Sequence, residues 1–119
     1  MAKILLAEDD DDMRRFLERA LAKAGHDVVA FAEGASAFES LKSTTIDLLL
    51  TDIVMPEMDG IELARRASAL DPALKIMFIT GFAAVALNAN GQALPNAKLL
   101  SKPFHLRELV AEIDKLLQS

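Results

Sequence analysis

Two spacings of apolar residues alternate along this chain. Short, largely apolar blocks occur within Lys3–Ala7, residues 26–31, Ile46 with Leu48 to Leu50, Lys75–Thr80 and residues 97–100. Unbroken runs of this length suit strands covered on both faces of a parallel sheet, although a buried helix segment carries the same pattern. For the third block the punctuation favours a strand. Pro56 biases Met55 away from helical geometry and Asp59-Gly60 is a turn signal, so the chain leaves the sheet just after Asp52.

Between the blocks the spacing becomes that of amphipathic helices. Met13, Phe16, Leu17, Ala20, Leu21 and Ala24 predict a first inner face, closed by Gly25 as a natural C-cap. Residues 34–42 predict a short second helix with Ala35, Phe38 and Leu41 on one face. Asp59 is a plausible N-cap with Glu62 three positions on, a variant of the capping box, and Ile61, Ala64, Ala67 and Leu70 form that third helix's inner face before Asp71-Pro72 ends it. Residues 83–89, with Val85 and Leu87, predict a weakly patterned alanine-rich helix closed by Asn90-Gly91. Leu106, Leu109, Val110, Ile113, Leu116 and Leu117 mark a last amphipathic helix.

Strands alternating with helices indicate a doubly wound α/β domain, with five strands and helices on both faces. Right-handed crossovers then bring the ends of the first, third, fourth and fifth strands to one edge. At those ends stand Glu8 and Asp9, Asp52, Thr80, and Lys102. That edge is where ligands bind in open parallel sheets.

Composition narrows the chemistry. At 119 residues the chain reads as a single domain, residues 1–119 with no output domain, long enough to bury roughly two thirds of its unfolded surface. It has no cysteine, so disulfides and thiolate metal sites are excluded. No signal-peptide or membrane-spanning pattern is present, which predicts a cytoplasmic protein with no membrane insertion. A net charge of −5 and a pI near 4.9 oppose the basic footprint of a nucleic-acid binder.

A lone aspartate after a strand is ordinarily a turn cap, and acids in the first turn of a helix are favoured by its dipole. Five successive acids, Glu8 to Asp12, exceed that need and repel one another unless a cation is near. Carboxylates from two strand ends, without histidine or cysteine, suit a hard cation, and Mg2+ is expected because it takes one or two carboxylates and retains waters that a phosphate can replace. A carboxylate can be a nucleophile toward phosphorus, and phosphoryl transfer asks a protein mainly for positioning and charge stabilisation. Mg2+, the Lys102 ammonium and the Thr80 hydroxyl would each hold a phosphoryl oxygen. Singly, Lys102 reads as a solvated lysine and Thr80 as a strand-end residue bonded to backbone; their joint placement favours the functional reading. His26 and His105 read as solvated residues flanking helices, and no two-histidine metal site follows from the sequence.

The Asp52 loop, the Glu8-Asp9 pair, Thr80-Gly81 and Lys102-Pro103-Phe104 together resemble the receiver domain of two-component response regulators, over the whole chain. Within that family, Asp52-Ile-Val-Met-Pro-Glu-Met-Asp-Gly-Ile-Glu-Leu-Ala-Arg-Arg-Ala and Ile76-Met-Phe-Ile-Thr-Gly-Phe-Ala-Ala-Val-Ala-Leu-Asn are similar to the stand-alone CpdR-type receivers of alphaproteobacteria. The resemblance implies the flavodoxin-like strand order 2-1-3-4-5 and a phosphorylated switch in place of a turnover enzyme, at most phosphorylating itself from small donors and dephosphorylating itself. It implies Asp52 as phosphoacceptor, Glu8, Asp9, Asp52 and the Val54 backbone carbonyl at the metal, Thr80 as switch hydroxyl, Lys102 as phosphate partner, and a cis Lys102-Pro103 peptide. It also implies a histidine kinase or histidine phosphotransfer protein as phosphodonor and an adaptor role in proteolysis by ClpXP, opposed by phosphorylation. One departure stands out: the aromatic switch position of many receivers is Leu99 here, so a Thr–Tyr coupling is not expected.

The apolar segment Phe82 to Leu87 places the expected output surface on the fourth helix, fifth strand and last helix, through which two copies could also pair. The enzyme alternative is a small Mg2+-dependent phosphohydrolase with an aspartyl nucleophile, as in haloacid-dehalogenase relatives, which carry that residue after the first strand. A flavodoxin-type cofactor binder fits less well, because five acids follow the first strand and neither Trp nor Tyr is present to stack on a flavin.

Overall fold

The computed structural model describes residues 2–80, 97–101 and 105–118, with the backbone alone at Thr80 and 97–101. Five parallel strands, β1 (Lys3–Ala7), β2 (Asp27–Phe31), β3 (Leu48–Asp52), β4 (Lys75–Thr80) and β5 (Ala97–Ser101), form one sheet in the order β2-β1-β3-β4-β5. Helices α1 (Asp11–Lys23), α2 (Gly34–Leu41), α3 (Gly60–Leu70) and α4 (Leu106–Gln118) complete the described elements. The expected helix at 83–89 lies outside the described residues.

The continuous apolar blocks work as the sequence pattern implies, because alternate residues of one strand serve two cores. Ile4, Leu6, Leu48, Leu50, Met77 and Ile79 pack with Leu17 and Leu21 of α1 and Leu109 and Ile113 of α4. Leu5, Ala7, Leu49, Ile76 and Phe78 pack on the other face with Ala37 of α2 and Leu63, Ala64 and Ala67 of α3. β3 lies at the centre, bonded to β1 and β4 with Ala7 opposite Thr51 and Asp52 opposite Ile79. The acids that follow β1 and the last residue of β3 are therefore brought to the same edge.

Helix faces differ from the expected ones where a close backbone contact sets the rotation. Gly34 packs so tightly that a Cβ there would lie 2.7 Å from the Met58 carbonyl oxygen, which turns Gly34 and Ala37 inward and leaves Ala35 exposed. In α3 Leu63 takes the buried position, while Leu70 is 50% exposed at the helix end, beside a cleft lined by Leu41, Thr45 and Leu74. α1 docks through Leu17 and Leu21, so Phe16, about 100° around the helix, is 52% exposed. Phe16 and Leu106, the latter 37% exposed, line a surface cleft instead of the core. Ala24 is also exposed, as the C-cap of α1, and Gly25 after it adopts φ 100°.

His26 is the clearest correction. Expected in solvent, its side chain is only 8% exposed: the Ala2 N–H donates to Nδ1 (3.2 Å), and Nε2 lies 3.5 Å from Asp114 Oδ1 of α4. The turn at Gly25 sends the chain back under β1, and both partners are too distant in sequence for any local pattern to show them. His105 is exposed, as expected, and its carbonyl accepts from the Leu109 N–H.

Candidate functional site

Asp52 ends the central strand, and its carboxylate is set by that strand's exit. The buried Thr51 hydroxyl donates to the Asp52 carbonyl (2.9 Å), and the Val54 N–H donates to Asp52 Oδ1 (3.3 Å). The following loop folds straight back, for the Gly60 N–H donates to the Ile53 carbonyl (2.8 Å). At Gly60 an ideal Cβ would sit 1.9 Å from the Asp52 carbonyl oxygen, so no side chain fits without moving the acceptor's own backbone. Asp59 caps α3 by accepting from the Glu62 N–H (2.8 Å), as its spacing predicts. Glu57, between them, holds φ 66°, an uncommon conformation for a residue with a side chain. Asp52 itself is 7% exposed, whereas Val54 beside it is 58% exposed.

The five-acid run divides its labour. Glu8 is fully buried, and its N–H donates to the Phe31 carbonyl (3.0 Å), extending the β1–β2 contact past the strand end. Glu8 Oε2 accepts from the Asp10 N–H (3.1 Å), and Asp10 Oδ1 caps α1 by accepting from the Met13 N–H (2.8 Å). Asp11 and Asp12 pair with Arg14 and Arg15, each at 2.8 Å. Asp9, exposed, remains for the site. Glu8, Asp9 and Asp52 each offer an oxygen, and these lie within 4.8 Å of one another. Three converging carboxylates, two of them buried, are an all-oxygen donor set that fits a hard divalent cation such as Mg2+ and neutralises best by binding one.

The structure thus brings together the first three site residues read from the sequence. Thr80 ends β4 in register with Ser101, one residue after Ile79, the partner of Asp52. Leu99 pairs with Phe78 in the ladder. Lys102, Pro103, Val85 and Leu87 lie outside the described residues. Sequence reasoning missed Gly60, Gly34, Thr51 and Arg14. The sequence marks Gly60 only as part of a turn, and the spacing of three in Asp11–Arg14, shared by Asp12–Arg15, is the local sign of a cation beside the acids.

A family model described as the response regulator receiver domain matches residues 4–114. The chain is a response regulator receiver domain. It is 69% identical over 117 residues to the response regulator receiver protein CpdR of Brucella abortus, covering 98% of both chains. It is also 35% identical over 119 residues to the sensor kinase CckA of the same organism, covering 98% of this chain but 13% of the kinase. Among solved structures, a response regulator receiver protein from Sinorhizobium medicae superposes with a TM-score of 0.90 at 37% identity, covering 99% of this chain and 95% of that one. The receiver fold and its close relation to CpdR agree with the sequence reading. As a receiver, the domain belongs to two-component signal transduction, and none of its described helices is long and apolar enough to cross a membrane.

Proposed function

We propose that this receiver accepts a phosphoryl group on Asp52 and passes the signal on through protein contacts. The observation that carries the reading is the nearly buried Asp52 carboxylate at the end of the central strand, converging with Glu8 and Asp9. With a phosphohistidine donor, an Asp52 oxygen forms the new O–P bond while the P–N bond breaks and its electron pair returns to the imidazole. Glu8, Asp9, Asp52 and the Val54 carbonyl would hold a Mg2+ ion, whose chemistry there would be charge neutralisation for the phosphoryl oxygens. The Lys102 ammonium and the Thr80 hydroxyl are assigned to the other oxygens by resemblance to the family, with Thr80 as the relay.

The donor is a histidine kinase or histidine phosphotransfer protein, a reading supported by the similarity to CckA, itself a sensor kinase. The similarity to CpdR supports the adaptor role in ClpXP proteolysis, with phosphorylation opposing it. In the presence of Mg2+ and acetyl phosphate, intact mass should show one hydroxylamine-labile phosphoryl group on the wild type and none on Asp52→Asn. Labelling that persists in Asp52→Asn moves the acceptor elsewhere, and steady release of inorganic phosphate from generic phosphate esters would favour the phosphohydrolase alternative.

A further inference from the structure

Two arginines follow the acid run on the same helix, with the same pairing geometry and different surroundings. Arg15 Nη2 meets Asp12 Oδ1 at 2.8 Å with both side chains in solvent, 59% and 95% exposed. Arg14 Nη2 meets Asp11 Oδ1 at the same 2.8 Å, but the Arg14 side chain is only 19% exposed. Its other terminal nitrogen, Nη1, donates to the Glu8 carbonyl (3.1 Å). The guanidinium therefore reaches back from the first turn of α1 and grips the peptide that joins the two acids of the pocket. An exposed pair such as Arg15–Asp12 contributes little. A mostly buried fork that spans a backbone carbonyl and a carboxylate fixes geometry, which a lysine's single point charge does not.

We propose that Arg14 is a positioning residue for the metal pocket: by holding the Glu8 carbonyl it sets the Glu8–Asp9 peptide so that both carboxylates converge with Asp52. This rests on the reading that the pocket takes Mg2+. The two effects of the guanidinium have opposite signs. As a positive charge near the acids it opposes a second cation, so its removal alone would tighten Mg2+ binding. As the clamp on the Glu8 carbonyl it preorganises the ligands, so its removal weakens binding. The buried fork makes the second effect the larger.

The test is a Mg2+ titration of the full chain, without phosphodonor, followed by amide shifts well below the melting temperature. Arg14→Met and Arg14→Lys should both bind Mg2+ about tenfold more weakly than wild type, the scale of outer-shell losses at metal sites, whereas Arg15→Met should match wild type. In the metal-free state the Asp9 and Asp10 amides should exchange faster in both Arg14 variants. Arg14→Lys retains the charge and the aliphatic stem, so it serves if Arg14→Met does not fold. Wild-type affinity in folded Arg14→Lys, or tighter binding in Arg14→Met, overturns the clamp while leaving the pocket intact. A wild type whose Mg2+ response is absent, or unchanged by Asp9→Asn, removes the metal reading and the clamp together.

Discussion

The two edges of the sheet use the same side chains to opposite ends. At the amino-terminal edge the polar groups are spread out, each accepting from a different backbone N–H: Asp47 Oδ2 from Lys3 (2.8 Å), His26 Nδ1 from Ala2, and Asp71 Oδ1 from Ala73 (3.1 Å). At the carboxyl-terminal edge three carboxylates crowd together within 4.8 Å, and the loops around them are held by Gly60, Asp10 and Arg14. Singly placed groups close the ends of strands and stabilise the fold. Crowded like charges cost stability in isolation, which makes this the edge proposed to take a cation and a phosphoryl group.

The contrast can be broken most severely at Gly60. Its Cβ position is filled by the Asp52 backbone, which cannot yield like the tip of a flexible side chain, so Gly60→Ala should cost about 3 kcal/mol or more in denaturant unfolding. It should also impair phosphoryl uptake, because relief requires moving Asp52. Wild-type stability in this variant would show that the β3–α3 turn opens freely.

At the other edge, His26→Ala removes a mostly buried ring and leaves the Ala2 N–H without its acceptor, at a cost of about 2 kcal/mol. Phosphorylation of Asp52 should be unchanged, since the ring lies at the opposite end of the strands. A stable variant with slowed phosphorylation would mean that the edges are coupled, against the division drawn above.

Within the acid run, Asp10→Ala and Asp9→Asn should separate capping from metal binding. Loss of the Asp10 cap should lower stability by about 1 kcal/mol with the Mg2+ response retained. Asp9→Asn does not remove a cap, because Asp10 holds that role, and it relieves repulsion at the pocket. Its metal-free melting temperature should therefore hold or rise slightly, while the stabilisation that wild type gains from Mg2+ is lost. A calorimetric scan with and without Mg2+ reads both effects, and a fall in melting temperature with a full Mg2+ response would return Asp9 to a structural role.

Much of this molecule was legible because its signals are local. Strand limits such as Lys3–Ala7 and Lys75–Thr80 follow from apolar runs, the Asp59 cap follows from its spacing to Glu62, and the strand-end positions of Glu8, Asp9 and Asp52 follow from the alternation of elements. Chain order and period carry that information, and the handedness of crossovers converts it into a shared edge.

What the sequence could not determine depends on which surfaces meet. Whether Ala35 or Ala37 faces inward is decided by how closely Gly34 approaches Met58, and whether Leu63 or Leu70 is buried depends on where α3 meets the sheet. His26 is placed by Ala2 and Asp114, 24 and 88 positions away, from 26 − 2 and 114 − 26. The five acids carry the same charge in sequence, yet burial makes Glu8 a pocket wall, the first helical turn makes Asp10 a cap, and Arg14 and Arg15 claim the next two. The sequence by itself determined the elements and the edge on which their charges gather. Tertiary structure decided the role of each charge, because burial, packing rotation and long-range hydrogen bonds exist only once the elements are assembled.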